Sequence, residues 1–163
     1  MIPAVIEAHL RERYPGYEHH THATAETARQ LAAAEHVSGD RVAKAVVVRL
    51  DGKLAIAVVS ATHRVNLAPL EEATASHAEL VPEADFTERF RPCEAGAEPP
   101  FALFGAPVFA DSQLLREEKI VMAAGTHEDA VVLDTCDWIQ CEKVQPIANL
   151  GRPSAPASTA SAR

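Results

Sequence analysis

VAKAVVVRL (residues 42–50), Asp51-Gly52 and KLAIAVVS (residues 53–60) form the stretch whose reading decides the fold. Two runs rich in β-branched residues flank an Asp-Gly dipeptide, the pair best suited to a two-residue hairpin turn. An antiparallel hairpin is therefore predicted. Side chains alternate across a strand, so Lys44 shares a face with Val42 and Val46. An ammonium on an apolar face needs a partner or a ligand. One account is a stem lying along a sheet edge with its head in water. The other is a cation placed to hold a phosphate or ribose oxygen.

Working outward, Ile2, Val5, Ile6 and Leu10 recur at helical spacing, and Tyr14-Pro15-Gly16 closes that helix. The polar run 18–22 follows. Thr24 is placed to cap a second helix to about residue 36, with Ser38-Gly39-Asp40 as its stop. Downstream, residues 66–75 and 83–90 read as short helices. FGAPVFAD (104–111), KIVMAAG (119–125) and DAVVLD (129–134) read as three more strands, and residues 137–141 as a last helix. After Gly151 the chain turns to small residues and proline, RPSAPASTASAR, which predicts a disordered tail over 151–163 behind one domain, 1–150. Strands and helices interleave without regular βαβ spacing. That predicts a mixed α/β (α+β) fold with a central mixed, mostly antiparallel sheet flanked by helices.

Composition bounds the rest. Hydrophobic residues make up 47% of the 163 but aromatics only 5%, so Val, Leu, Ile and Ala must build most of the core. No apolar run approaches a membrane span, and the N-terminal MIPAVIEAHLRERYPG lacks a basic leader, so no membrane association is expected and the setting is read as cytoplasmic. The three cysteines, Cys93, Cys136 and Cys141, include no CxxC pair, which suits a reducing compartment. A net charge of −8 argues against a protein that coats nucleic acid, DNA included. It leaves room for an enzyme that grips one end of an RNA with a local basic patch.

Chemistry concentrates in three places. CEAGAEPPFALFG (93–105) places Gly96, free to take left-handed backbone, ahead of two stiffening prolines. Such a loop can aim amides at an oxyanion or a water. His127 follows Gly125-Thr126 on a loop after a strand, where site residues concentrate. The group His19, His20 and His22 invites a metal reading, but no cysteine or carboxylate completes a ligand set, and neither metal nor cofactor is expected. There is no GxSxG, Walker, GxGxxG or HExxH pattern.

In order, VAKAVVVR, HRVNL, CEAGAEPPF, FGAPVFAD, AAGTHEDA and Asp137-Trp138 resemble the YbaK/prolyl-tRNA synthetase-associated domain family, over roughly residues 1–147. The resemblance implies a free-standing aminoacyl-tRNA deacylase. Such an enzyme removes a small wrong amino acid from a tRNA, commonly that for proline, with prolyl-tRNA synthetase as a possible partner. The family lysine falls on Lys44, the GxxxP loop on residues 96–100 and the GTH histidine on His127. Many relatives have Gly where this chain has Ala102. On this reading the Gly96 and Ala97 amides hold the substrate carbonyl or the attacking water, and Lys44 holds the terminal adenosine. His127 walls the amino-acid pocket, with a general base as the alternative role. His20, Thr24, Pro99, Pro100, Phe101 and Asp137 are the candidates for binding substrate. Two rivals are a non-catalytic module that binds a tRNA end or a synthetase, and a hydrolase for another small acyl ester.

Overall fold

The computed structural model describes residues 1–154. In chain order the elements are α1 (Ala4–Arg13), β1 (Glu18–Thr21), α2 (Ala28–Ala34), β2 (Ala43–Leu50), β3 (Lys53–Ser60), β4 (His63–Val65), α3 (Leu67–Thr74), β5 (Ala78–Leu80), β6 (Val108–Asp111), β7 (Lys119–Ala123), β8 (Asp129–Asp134), α4 (Thr135–Glu142), β9 (Gln145–Ile147) and β10 (Gly151–Pro153).

The β2–β3 hairpin forms as expected. Asp51 and Gly52 take φ of 47° and 84°, the double left-handed turn that matches strand twist, and Leu50 pairs with Lys53. The hairpin is the middle of a five-stranded sheet ordered β5-β2-β3-β6-β9. β5 adds antiparallel to β2, whereas β6 and β9 add in parallel on the other side. A second sheet, β1-β8-β7, and the β4–β10 pair are antiparallel throughout. The expected α+β architecture is thus present.

β2 and β3 bury both faces. Ala43, Val47, Ile56 and Val58 face a core completed by α1, Phe101, Trp138 and the β7–β8 pair. Val48, Ala55, Ala57 and Val59 face Leu70 of α3. A third, small cluster seats Leu31 of α2 on Val121 and Ala130.

Several local expectations change. The second helix is capped by Thr27, not Thr24. The Thr27 hydroxyl accepts the Gln30 amide, and the Gln30 side chain accepts the Thr27 amide. This reciprocal box outcompetes a cap three residues upstream. β1 lies in the run with no apolar alternation, because all four of its side chains are exposed at a sheet edge. Residues 83–90 hold only a 3₁₀ turn, Glu83–Asp85. The expectation of disorder from residue 151 fails for Gly151–Pro153, because β10 pairs with β4 through backbone bonds that need no large apolar side chain. The remainder of that tail, 155–163, lies outside the described residues.

One buried carboxylate ties the first helix to the last. Glu142 Oε2 accepts from His9 Nε2 at 2.7 Å and from the Tyr14 hydroxyl at 2.5 Å, while Oε1 accepts the Ala102 amide at 2.7 Å. Burial pushes this carboxyl up, but the bonds from His9, Tyr14 and Ala102 outweigh it and hold the group below its ordinary range. Glu142→Ala strands the buried Tyr14 hydroxyl. At ~1–3 kcal/mol per unsatisfied group, a loss of about 2–4 kcal/mol is expected in urea denaturation at pH 7. A carboxylate with a depressed folded pKa stabilises fully above its unfolded value of 4.5 and less as pH falls through the folded value. The gap between parent and variant should therefore narrow below about pH 4.5. A gap that is flat from pH 7 to 3 would show that the ionised carboxylate is not the stabilising form.

Candidate active site

The start of β2, the segment entering α2, the 93–101 loop and the β7–β8 connection surround one pocket of about 460 Å³, counted out to its open mouth. Its polar side chains include His22, Lys44, Glu98, His127 and Asp129, and Gly96 lines it with backbone.

Lys44 is half-buried at the end of the Val46–Val48 face of β2. Its Nζ donates to the carbonyl of His63. An ammonium has three donors, so two remain for a ligand. Burial lowers its pKa, and the nearby Arg29 lowers it further.

The β7–β8 connection is built around Asp129, which is 1% exposed. Burial pushes its carboxyl up. Hydrogen bonds from the Thr126 hydroxyl at 2.6 Å, the terminal ammonium at 2.9 Å and His19 at 2.6 Å overcome this and hold it at about 2. Asp129 is thus a saturated anchor for the turn that carries His127. The His127 amide donates to Glu94 Oε1 at 2.7 Å, and its ring Nδ1 donates to the Ala25 carbonyl at 3.2 Å. With the proton on Nδ1, Nε2 of the neutral ring is left as an acceptor.

The 93–101 loop is pinned on both sides. Toward the pocket, the Glu94 amide donates to the Gly125 carbonyl and the Gly125 amide donates to the Ala97 carbonyl, both at 2.8 Å. Toward the core, Trp138 Nε1 donates to the Pro100 carbonyl at 3.0 Å, and Phe101 stacks on Tyr14. Gly96 stands between these anchors with φ of 89°. A β-carbon there would lie 3.5 Å from His127 Cε1. Ala102 is exposed and opens a 3₁₀ turn outside the left-handed region, so the loop's exit does not require glycine.

Of the expected site residues, Lys44, Gly96 and His127 come together. The role expected for the amides changes. The Gly96 amide donates to the Glu98 carboxylate at 3.0 and 3.2 Å, and the Ala97 amide donates to the Glu94 carbonyl at 3.0 Å. Both donors are already engaged, and Ala97 is fully buried. Pro99, Pro100 and Phe101 are buried on the core side of the loop and hold its shape. Thr24 is exposed beside Ala25, which lines the pocket. His20 lies outside it, on β1, paired with Glu18 at 3.3 Å and Glu35 at 2.5 Å. Asp137 is likewise outside, exposed near the start of α4.

Two residues join the site that were not singled out for it. Glu98, 8% exposed, places a carboxylate in the pocket, and burial raises its pKa against the pull of the Gly96 amide. His22 donates from Nδ1 to the Ala23 carbonyl at 2.7 Å, and its buried Nε2 has no partner. The sequence holds both, Glu98 before the two prolines and His22 in the histidine group, but a metal reading of that group hides a single acceptor. Among the described residues, no three His, Cys, Asp or Glu side chains converge as a metal-ligand set, and no helix is long and apolar enough to cross a membrane.

The model of the aminoacyl-tRNA editing domain matches residues 22–141, a span that runs from His22 through Lys44, Gly96 and His127. The chain belongs to the aminoacyl-tRNA editing domain family. Three solved structures share its fold. One is a protein proposed as a trans-editing enzyme for prolyl-tRNA synthetase (TM-score 0.80, 17% identity, 93% of this chain and 99% of that one). Another is a hypothetical protein (TM-score 0.81, 18% identity, 90% and 99%). The third is a scaffold used for computational epitope grafting (TM-score 0.79, 17% identity, 91% and 96%). No curated protein matches the chain in sequence.

Gly96→Ala tests the loop. A non-glycine residue in left-handed backbone costs roughly 1–2 kcal/mol, so a fall of that size in urea stability is expected, together with a shifted His127 ring resonance. An unmoved resonance would show that Gly96 does not position the His127 ring.

Proposed function

We propose that the chain is a deacylase that hydrolyses the ester between a small, wrongly attached amino acid and its tRNA, acting in the cytoplasm on the acceptor end of the RNA. The observation that carries this reading is the charge layout of one small pocket. The Lys44 ammonium stands in its wall, and a buried carboxylate, Glu98, and an unpartnered buried acceptor, His22 Nε2, lie within it. An aminoacyl-RNA end has the complementary layout, with an α-ammonium on the acyl side and phosphate and ribose oxygens on the other. Glu98 and His22 suit the ammonium, and Lys44 suits the nucleotide oxygens. The protein proposed as a trans-editing enzyme for prolyl-tRNA synthetase, which shares the fold, makes tRNA for proline the first substrate to test and that synthetase a partner to test.

The ester is already activated, so a positioned water suffices as nucleophile. Its oxygen adds to the acyl carbon, the ester C–O bond breaks, and the ribose oxygen leaves with a proton given up by that water. With the Gly96 and Ala97 amides engaged, the free N–H groups of Lys44 are the donors available to the developing oxyanion. His127, fixed by Ala25 and set against Gly96, forms a wall that limits side-chain size.

Release of amino acid from a panel of mischarged tRNAs tests the reading, and no release from any member would leave the binding-module alternative. Lys44→Ala should lower kcat/KM by about a hundredfold or more with an unchanged melting temperature, whereas near-normal turnover would make Lys44 structural. His127→Ala should admit bulkier aminoacyl groups, so the ratio of rates on wrong and correct aminoacyl-tRNA falls. A uniform loss of 10²–10⁴-fold on both is the signature of a general base instead. Turnover is expected to survive chelation; loss restored by zinc would overturn a metal-free mechanism.

A further inference from the structure

Beside the pocket, and sharing Lys44 as a wall, runs an open groove of about 1120 Å³, counted to its mouth. Val46, Leu67 and Leu80 are among its apolar lining, and Leu80, 60% exposed, is one of three exposed large hydrophobic residues among the described residues. Arg64 and Arg152 stand with Lys44 along it, and no carboxylate lines it. In a chain of net charge −8, a strip bearing only cations runs against the average surface.

The two arginines are placed by the backbone. β4 and β10 pair with Arg64 opposite Arg152. Directly opposed residues of an antiparallel pair project from one face with β-carbons about 4.5–5.5 Å apart, where like charges repel. Arg11, Arg13, Arg41, Arg49 and Arg91 each meet a glutamate. Among the described residues, Arg64 and Arg152 meet no carboxylate, as is also true of Arg29, Arg89 and Arg116, but only Arg64 and Arg152 stand in the groove. Asn66, also in the groove, stands at the start of α3 without using its side chain as a cap, which leaves its side-chain carboxamide free to bond a base edge or a ribose. A groove edged by cations can track the backbone of a single-stranded nucleic acid; with no aromatic residue in it, the contact is to phosphates and not by base stacking.

We propose that this groove holds the phosphodiester backbone of the single-stranded RNA end whose aminoacyl terminus enters the pocket, with Arg64 and Arg152 each neutralising a phosphate. The identity of the RNA rests on the deacylase reading; the groove's charge does not. That groove and pocket share Lys44 as a wall favours an RNA end over an unrelated polyanion, because one ligand can reach both.

The test is fluorescence anisotropy with an uncharged RNA hairpin ending in a short single-stranded 3′ overhang, titrated over a range of salt. Parent full-length chain is compared with Arg64→Gln/Arg152→Gln and with Arg64→Lys/Arg152→Lys. Each phosphate contact to a single strand contributes about 0.7 to the slope of log K against log salt, so the glutamine pair should flatten the slope by about 1.4. It should also weaken low-salt binding on the order of tenfold, while the lysine pair restores the slope. An unchanged slope in the glutamine variant, or equal loss in both variants, overturns the proposal. Hydrolysis of aminoacyl-adenosine by the parent enzyme, a substrate without phosphate, tests the deacylase reading separately. Hydrolysis with an unchanged slope sinks the groove alone; no hydrolysis with a flattened slope sinks the deacylase and leaves the groove.

Discussion

The site depends on the Glu142 carboxylate, buried at 2% exposure at the end of α4. A carboxylate there is tolerable only with its oxygens occupied, and the partners that occupy them come from three separate places: His9 in α1, Tyr14 just beyond α1, and the Ala102 amide at the exit of the 93–101 loop. The need to satisfy one charge thus fixes the loop's far end against the helices. Trp138, one turn earlier on α4, holds the Pro100 carbonyl. The near end is zipped to Gly125 by two backbone bonds. Between fixed ends the loop has little freedom, which is why Gly96 meets His127 without either being in regular structure.

Burial acts on both signs of charge in the pocket. It raises the Glu98 carboxyl and lowers the Lys44 ammonium, so each charged form is less favourable than in water. A ligand that brings an ammonium to Glu98 and anionic oxygens to Lys44 restores both. Binding energy is then drawn from groups that the empty protein leaves undercompensated, and an uncharged or single-charge ester gains only part of it. This is a route to selectivity for aminoacyl-nucleotide ends that does not rely on reading the side chain, where a methylene is worth only ~1–3 kcal/mol.

The parts legible in the sequence are those set by local rules. Asp51-Gly52 determines a turn by backbone conformation alone, and the β-branched runs around it could hardly be anything but paired strands. The run 129–134 likewise forms the strand its pattern predicts. What escaped is set by non-local partners. β1 and β10 have no hydrophobic alternation and exist because β8 and β4 offer them edges. Lys44, Gly96 and His127, which the fold brings to one pocket, are legible as candidates through ordered motifs. Glu98 and His22 are not, because a glutamate before prolines and a histidine among histidines become unusual only once the fold buries them. The same holds for Ala97: nothing in CEAGAEPPF says that its amide will be taken by Glu94.

That engagement of amides constrains the chemistry. A preformed oxyanion hole needs donors with no other acceptor, and here Gly96 points its N–H at Glu98 while Ala97 points its N–H back into the loop. Freeing the Gly96 amide requires Glu98 to turn away, which an incoming ammonium on that carboxylate would favour. The acyl group's own charge would then prepare the donor that its carbonyl needs. A substrate lacking the α-ammonium leaves Glu98 on Gly96 and has only Lys44 to lean on. On the proposed deacylase reading, recognition of the amino group and activation of the ester would then be one event.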